Sequence, residues 1–276
     1  MQKPQPPETP LNTPRFDNWL ASFSAYVSPV TQLKIENWLD QFLKIDRDVA
    51  ARILDAVLFV GTKQIMVQYR EMLNALDGWH TDPAQRKGRW FFVPFSASSG
   101  ESGDTMVHLF RMATGLNKKK FDELFIHRSE LVAKKLTPDD TVVLIDDFSG
   151  TGDQAKTAWT DLFSELLYGE PYTYLMLVAA TKDAVKVVRD NTEMELICGT
   201  LLDKRHNFFN DNCKWFSKED KATILKYCKR ANKNKPQGWG DSGLLIVLQH
   251  RCPNNSLPIL HASNKDWTGI FPRQFD

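Results

Sequence analysis

One segment, residues 141–154, constrains the fold of this chain more than any other. It reads Thr-Val-Val-Leu-Ile-Asp-Asp-Phe-Ser-Gly-Thr-Gly-Asp-Gln. Its apolar residues 142–145 form a continuous run, which is typical of a strand buried on both faces of a parallel sheet. Two carboxylates, Asp146 and Asp147, follow at the carboxyl end of that strand, and a helix is expected to begin near Asp153. A strand, a glycine-rich turn and a helix N-terminus form an anion cradle, because the N–H groups of the turn converge on one point.

An acidic pair beside an anion cradle suits a ligand with a phosphate at one end and hydroxyl groups or a metal ion at the other. Ribose 5-phosphate is such a ligand. The turn is not a Walker A loop, because no Lys follows its second glycine. It is not the dinucleotide-binding fingerprint either, because the third glycine is absent. The alternative is a plain glycine turn in which the two acids cap the helix.

A second unit of the same kind lies upstream. Residues 90–95 are expected to form a strand, and residues 105–114 are expected to form a helix. The loop between them, residues 96–104, consists of Ser, Ala and Gly except for two acids. Two such loops at the carboxyl ends of strands in one sheet would meet across a crevice, which is where open α/β sheets bind ligands. The alternative is a flexible Ser/Gly connection.

The segment 142–152 resembles the phosphoribosyl-pyrophosphate motif of the type I phosphoribosyltransferases, in which an apolar strand, two acids and a small-residue loop with Thr-Gly follow one another. The resemblance implies that a 5-phosphate is bound by Phe148, Ser149, Gly150, Thr151, Gly152, Asp153 and Gln154. It implies that pyrophosphate is bound by Ser99, Gly100, Ser102, Gly103 and Asp104. Gln154 stands where the family usually has Thr or Ser, so its amide would donate in place of a hydroxyl.

The resemblance also implies roles for three charged residues. Asp146 and Asp147 would bind the ribose hydroxyls and steady positive charge at the anomeric carbon. They would also hold Mg²⁺, through substrate or water, because this ion keeps waters and bridges substrate oxygens. Arg128 ends a predicted strand over residues 123–128 and would neutralise the leaving pyrophosphate. The alternative interpretation is that Arg128 is a surface residue that pairs with Glu130.

The end of the chain has a pattern of its own. A glycine-rich segment, 238–243, precedes a predicted strand, 244–250, and a loop with Asn254 and Asn255 follows. Those two side chains could offer amides to a base or sugar, or could tie the turn together. With the helical front of the chain, this ending resembles the PRTase-CE (phosphoribosyltransferase-like) domains of bacterial conflict and anti-phage systems, some of them retron effectors, over roughly residues 30–273.

That resemblance implies an enzymatic effector whose ligand is a phosphoribosyl or nucleotide small molecule. Its partner would be a defence-system protein, either a reverse transcriptase or a regulator. The segment 115–121 is short where many phosphoribosyltransferases carry a long hood that excludes water. Two alternatives therefore stay open: an effector that degrades a nucleotide such as NAD, and a non-catalytic sensor of a phosphoribosyl ligand.

Composition limits the partners. The net charge of +1 argues against direct nucleic-acid binding and against a basic membrane patch. The four cysteines are widely spaced, with no Cys-x-x-Cys pair, which argues against zinc. With neither a membrane span nor a hydrophobic signal core, we expect a cytoplasmic protein, and an oligomer is possible.

The pattern along the chain predicts the domain organisation. Residues 1–14 are proline-rich and are expected to be a disordered leader. Residues 15–84 show helical periodicity, with an aromatic stripe of core or docking residues and a third helix that runs from an Asp46 cap through Leu58. Residues 85–276 alternate strands with helices, including one capped by Ser217. The predicted fold class is therefore α/β, with a mostly parallel sheet flanked by helices and a helical N-terminal segment.

Overall fold

The computed structural model describes residues 13–95 and 102–273 of the chain. The chain folds as two compact units. A central unit spans Lys63–Leu202, and a flanking unit combines the residues up to Thr62 with those from Asp203 onward. The domain boundaries predicted from the sequence, after residues 14 and 84, divide the chain differently and stay a prediction.

The elements alternate as predicted through the middle of the chain. The helices are α1 (Thr13–Phe23), α2 (Gln32–Asp40), α3 (Arg47–Ala56), α4 (Thr62–Ala75), α5 (Ser102–Thr114), α6 (Asp153–Ala158), α7 (Ser164–Leu166), α8 (Lys182–Asn191), α9 (Lys218–Ala231) and α10 (Pro258–His261). The strands are β1 (Leu58–Val60), β2 (Trp90–Pro94), β3 (Thr141–Ser149), β4 (Tyr172–Thr181), β5 (Glu195–Leu202), β6 (Ile246–Leu248), β7 (Ser263–Asn264) and β8 (Trp267–Thr268). A π-helical turn, Trp159–Phe163, joins α6 to α7. Within the described residues, no helix is both long and apolar enough to cross a membrane.

The central unit is built on a four-stranded sheet in the order β2-β3-β4-β5, and each pair of neighbours is parallel. Parallel neighbours need a crossover connection, and here each crossover carries a helix. Helix α5 follows β2, the run from α6 to α7 follows β3, and α8 follows β4. The sheet confirms the predicted fold class, α/β with a mostly parallel sheet flanked by helices.

Both faces of this sheet are covered, which explains the apolar run in β3. Val142 and Leu144 pack on one face, in a core with Trp159 and Phe163 of the π-helical turn. On the neighbouring strand, the ring of Phe92 lies 4.8 Å from that of Phe110 in α5. Residues 142–145 are fully buried, as expected for a strand without a solvent face.

The flanking unit has an aromatic core of its own. The ring of Phe42 lies 4.6 Å from that of Tyr227 and 5.1 Å from that of Trp267. Strands β1 and β6 pair in parallel beside this core. Trp19 and Phe23 of α1 are buried in it, which supports the core interpretation of the predicted aromatic stripe.

The predicted strand over residues 123–128 is wrong. Two 3₁₀ helices, Lys119–Leu124 and Arg128–Glu130, occupy half of it, and within the segment Phe125 alone makes a bridge, to Phe92. The reason is a reciprocal capping box: the His127 ring accepts from the backbone of this turn while Glu130 accepts from the N–H of His127. These side-chain bonds to the backbone favour a helical turn over an extended chain.

The predicted third helix is too long. It ends at Ala56, and Leu58 opens strand β1, because the run Val-Leu-Phe-Val before Gly61 has high β propensity. Asp46 precedes the helix without capping it, and its carboxylate accepts a hydrogen bond of 2.6 Å from the hydroxyl of Tyr227. By contrast, Ser217 caps α9 as predicted, in a capping box with Asp220.

Candidate functional site

The two predicted loops meet at the carboxylate pair. Asp146 and Asp147 lie at the carboxyl end of β3 and are 7% and 9% exposed. The hydroxyl of Ser102, the first residue of α5, lies 2.5 Å from Oδ1 of Asp146 and 3.2 Å from Oδ1 of Asp147. The backbone N–H of Asp147 also donates to Oδ1 of Asp146, at 2.9 Å. A residue of the predicted pyrophosphate loop therefore contacts both predicted ribose-binding acids.

Burial and like charge dominate the electrostatics of this pair. The pKa of Asp146 lies well above its usual value, first because the carboxyl is buried and second because Asp147 is negative beside it. The hydrogen bonds from Ser102 and from the N–H of Asp147 offset only part of this rise in pKa. A cation or a hydroxyl-bearing ligand at this point would relieve the repulsion.

Tyr69 of α4 contacts the backbone of the acidic pair. Its hydroxyl donates a hydrogen bond of 2.9 Å to the backbone carbonyl oxygen of Asp146. The pKa of Tyr69 is raised, chiefly by complete burial and then by the charges of Asp146 and Asp147. The hydroxyl therefore stays a donor, and it fixes the peptide plane that carries the acidic pair.

The turn after β3 is shaped by Gly152. Its φ of +82° lies in the left-handed region that favours glycine. A Cβ at this position would lie 2.7 Å from Cβ of Val187 in α8, so the turn also approaches that helix too closely for a side chain. Both constraints require glycine at this position, which is the N-cap of α6.

The polar groups of the turn are hydrogen-bonded within the protein only in part. The carbonyl oxygen of Gly150 accepts from the hydroxyl of Thr181, which also caps α8 by accepting from the N–H of Ala184. The hydroxyl of Thr151 accepts from the N–H of Asp153 at 3.3 Å. No hydrogen bond within the described part of the chain uses the N–H of Thr151 or Gly152. These two donors are available to an anion.

The other residues predicted to bind the 5-phosphate lie on either side of this turn. Phe148 and Ser149 end β3 and are half-buried, and Asp153 and Gln154 are the first, exposed residues of α6. Both acids and the whole predicted phosphate turn therefore lie on one strand–turn–helix connection.

The predicted pyrophosphate loop is described in part. Ser99 and Gly100 lie outside the described residues. Gly103 is buried, and a Cβ there would lie 3.0 Å from the carbonyl oxygen of Phe95. Asp104 is exposed in the first turn of α5. Of the described members, Ser102 makes the contact with the acids.

Arg128 is half-buried in a short 3₁₀ helix. Just before it, the N–H of Ile126 donates to the carbonyl oxygen of Phe92 at 3.2 Å, so the chain runs beside β2. Since the bridge from Phe92 to Phe125 is parallel, the chain proceeds toward the carboxyl end of β2. Glu130, the alternative partner of Arg128, accepts from the N–H of His127 at 3.0 Å.

Asn254 and Asn255 belong to the flanking unit. Asn254 is exposed and Asn255 is buried. The amide of Asn255 donates to the carbonyl oxygen of Trp239 at 3.0 Å and to the hydroxyl of Ser242 at 3.2 Å. This geometry supports the turn-tying interpretation for Asn255.

The donor set fits Mg²⁺ only when a substrate shares it. Among the described residues, no group of three or more His, Cys, Asp or Glu side chains could hold a metal ion. Mg²⁺ commonly uses one or two carboxylates together with substrate phosphates and waters. Asp146 and Asp147, buried and mutually repelling, supply those carboxylates and the negative charge that a cation compensates.

Sequence reasoning missed two contributors to this geometry. Thr181 follows an apolar run and precedes a helix, which is the position of an N-cap, so its cap was predictable. Its second bond, to Gly150, was not. Tyr69 has no sequence signal, because its contact with Asp146 joins positions 77 residues apart.

The sequence model of the PRTase-CE family matches residues 35–273 of the chain. No curated protein matches the chain in sequence. The matched range contains both loops of the site, Tyr69, Arg128 and the loop with Asn254 and Asn255.

Proposed function

The chain belongs to the PRTase-CE family and is thus a phosphoribosyltransferase-like protein, and we propose that it binds a phosphoribosyl ligand, such as phosphoribosyl pyrophosphate, with Mg²⁺ and acts on it as an enzyme. One observation carries the proposal: Ser102 contacts both Asp146 and Asp147. The residue that opens α5 and the acids that end β3 therefore face one space, as a ligand with phosphates at both ends of a ribose requires.

Each part of the ligand has a partner in this arrangement. The N–H groups of Thr151 and Gly152, with the N-terminus of α6, take the 5-phosphate. Asp146 and Asp147 accept hydrogen bonds from the ribose hydroxyls. Gln154, at the exposed start of α6, donates through its amide.

The same acids stabilise positive charge that develops at the anomeric carbon, because carboxylates preorganised in a buried site lower the energy of such a transition state. Ser102, Gly103 and Asp104, together with Ser99 and Gly100, hold the pyrophosphate, and Arg128 balances its charge as it leaves. Mg²⁺ held by substrate oxygens, and by Asp146 and Asp147 through substrate or water, would supply further neutralisation of the leaving group. No protein nucleophile takes part: an acceptor molecule forms the new bond to the anomeric carbon as the bond to pyrophosphate breaks.

Calorimetry tests the binding step. We expect phosphoribosyl pyrophosphate to bind the wild-type protein when Mg²⁺ is present, and to bind Asp147→Ala at least tenfold more weakly, since hydrogen bonds to charged groups contribute about 1.5–3 kcal/mol each. Asp161→Ala, an exposed acid in the π-helical turn, is the matched control and should bind like wild type. Absence of binding to the wild type, or equal binding to Asp147→Ala, would contradict the proposal.

We propose further that the protein is a cytoplasmic effector of a bacterial anti-phage system, of retron type, under the control of a partner such as a reverse transcriptase or a regulator. The resemblance of its C-terminal pattern to conflict-system domains supports this role. Phage plaque counts on cells that carry the whole system should rise when Asp146→Ala and Asp147→Ala replace the wild type. Intact defence by the double variant would instead favour a non-catalytic sensor.

One observation favours a second candidate, hydrolysis of a nucleotide at its glycosidic bond. Only residues 115–118 separate α5 from the next 3₁₀ helix, Lys119–Leu124. So short a connection does not form a long hood at this point of the chain, and water could then serve as the acceptor. Nucleotide pools, NAD included, measured in cells that produce the protein with and without Asp147→Ala, separate the two candidates.

A further inference from the structure

The near-neutral net charge of the chain conceals a division between its two units. The central unit contains 16 Lys and Arg side chains and 20 Asp and Glu side chains. The flanking unit contains 19 and 14, respectively. Its surplus of cations lies in the part from Asp203 onward, which contains 13 Lys and Arg and seven Asp and Glu, Asp203 included. An overall charge of +1 therefore says nothing about the potential at the surface of the flanking unit.

The basic charge is concentrated at the end of α9 and in the loop after it. Residues 226–235 contain five cations and no acid, and all five side chains are exposed: Lys226, Lys229, Arg230, Lys233 and Lys235. The helix buries Ile224, Tyr227 and Cys228, so its lysines face solvent. Arg230 is partly engaged, because its guanidinium donates to the carbonyl oxygens of Gln41 and Asp266. No salt bridge joins any of the five to a described carboxylate.

An indole ring lies next to this basic segment. Trp239 is 48% exposed, whereas Trp38 and Trp267 of the same unit are fully buried. The ammonium of Lys235 lies 5.0 Å from the centre of the Trp239 ring. An exposed tryptophan beside a cation is the pair of groups that proteins use against the bases and phosphates of a nucleic-acid strand.

The loop that carries Trp239 is held in one conformation. Gly238, Gly240, Asp241 and Gly243 all have positive φ, and Asp241 adopts it without being glycine. The buried amide of Asn255 donates to the backbone carbonyl oxygen of Trp239. The backbone N–H of Trp239 donates in turn to the carbonyl oxygen of Asn254, at 2.8 Å. The exposed ring is therefore presented by a fixed backbone, and binding would order little of the loop.

We propose that residues 226–239, the basic segment with Trp239, form a binding surface for single-stranded nucleic acid, with the lysines at the phosphates and Trp239 stacked on a base. Lysines supply affinity that does not depend on sequence, through release of counterions from the strand. The ring supplies stacking, which every base accepts. The surface belongs to the flanking unit and the phosphoribosyl site to the central unit, so neither proposal depends on the other.

Helix stabilisation does not account for the whole pattern. Cations in the last turn of a helix favour its macrodipole, which explains Lys229 and Arg230. It does not explain Lys233 and Lys235, which lie beyond the helix, or the exposure of Trp239. A duplex keeps its bases stacked inside, so a surface that pairs phosphate contacts with an exposed indole fits a single strand better.

Fluorescence anisotropy with a labelled 20-nucleotide oligothymidylate tests the proposal on the full chain. We expect binding that weakens as salt rises. Trp239→Ala should weaken it about tenfold at fixed salt, because base–aromatic stacking contributes about 1–3 kcal/mol per base. The triple variant K226Q/K229Q/K233Q should lower the slope of log K against log salt by about 0.7 per lysine removed.

Matched controls remove similar groups elsewhere. Tyr168→Ala removes another exposed aromatic ring, and K118Q/K119Q/K120Q removes the other basic cluster; both should bind like wild type. Thermal midpoints within about 2 °C of wild type confirm that all variants are folded. Three outcomes would overturn the proposal: no binding at low salt, equal binding by Trp239→Ala, or polyglutamate competing as well as the oligonucleotide. The last would identify an acidic protein as the partner.

Discussion

The hydroxyl of Tyr69 donates a hydrogen bond of 2.9 Å to the backbone carbonyl oxygen of Asp146. Tyr69 is fully buried and comes from α4, in the stretch of the chain that precedes the sheet. The carboxylate pair is therefore positioned from two sides, by Ser102 at its side chains and by Tyr69 at its backbone. A helix with no motif of its own thus contributes to the geometry of the candidate site.

Tyr69→Phe should lower the free energy of unfolding by about 1 kcal/mol, because the variant keeps the ring and loses one buried hydrogen bond. It should also weaken binding of phosphoribosyl pyrophosphate with Mg²⁺, since the peptide of Asp146 is no longer fixed. Urea unfolding and calorimetry measure the two effects.

Tyr26→Phe is the matched control for this prediction. Its hydroxyl also donates to a backbone carbonyl, that of Pro272, at 2.7 Å, but in the flanking unit. It should lose similar stability and keep its affinity for the ligand. Equal affinities of the two variants would show that the Tyr69 bond stabilises the fold without positioning the site.

Asp146→Asn should stabilise the protein at pH 7 by about 1 kcal/mol and abolish ligand binding, as is common where a site holds an unfavourable charge. The amide keeps an acceptor for Ser102 and for the N–H of Asp147, and it removes the buried like charge. The pKa of Asp146 is higher in the folded protein than in the unfolded chain. The contribution of this carboxyl to the free energy of unfolding is therefore fully present below the unfolded pKa, and it is lost as pH rises through the folded pKa. The advantage of the variant should therefore grow from about pH 4 upward.

Asp140→Asn provides the opposite case. Asp140 is buried, its carboxylate pairs with Arg89 at 2.6 Å, and bonds from Arg89 and Thr137 hold its pKa below the usual value. Its contribution is present above the unfolded pKa and is lost as pH falls through the folded pKa. Asp140→Asn should lose about 2 kcal/mol at pH 7, and that loss should shrink in acid. Chemical unfolding of both variants between pH 3 and 8 tests the pair; two curves of the same sign would contradict this account.

The sequence was sufficient for the part of the site that is local. Residues 142–152 form strand, turn and helix start within one connection, so apolar run, acids and glycines appear in the order in which the structure uses them. The parallel sheet was predictable for the same reason: each strand and its crossover helix carry their own periodicity. The strand predicted before Arg128 failed because side-chain capping by His127 and Glu130 outweighs a short apolar run.

Contacts between distant positions were not predictable. Two such contacts are the hydrogen bonds from Tyr69 to Asp146 and from Thr181 to Gly150. They depend on how helices and strands pack, and neither residue of a pair indicates its partner in the sequence. The flanking unit shows the same limit on a larger scale, because β1 pairs with β6 across most of the chain. Periodicity identifies the faces of elements, but not which faces meet.

Gly152→Ala should destabilise the protein by about 3 kcal/mol, because it adds both backbone strain and a steric clash. The backbone φ is +82°, and the new Cβ would lie 2.7 Å from Cβ of Val187. Gly115→Ala separates the two effects: its φ is +72°, and nothing lies within 4 Å of the added Cβ. It should lose about 1 kcal/mol, the contribution of strain alone. If urea unfolding shows that both variants lose the same free energy of unfolding, then α8 moves to accommodate the added Cβ at little cost.

His261 should make the protein less stable in mild acid. Burial, and then the nearby Arg273 charge, lower the pKa of its imidazole to about 4, so the folded protein holds the ring neutral. The unfolded chain binds a proton near pH 6.5, and between these values the unfolded state holds more protons. The contribution of His261 is therefore present above pH 6.5 and is lost as pH falls toward 4, by up to about 1.4 kcal/mol per pH unit. Urea unfolding at pH 7 and pH 5 should show a smaller fall for His261→Gln than for wild type, whereas His80→Gln, which removes an exposed histidine, should follow wild type. A fall of the same size in His261→Gln would assign the acid sensitivity to other groups.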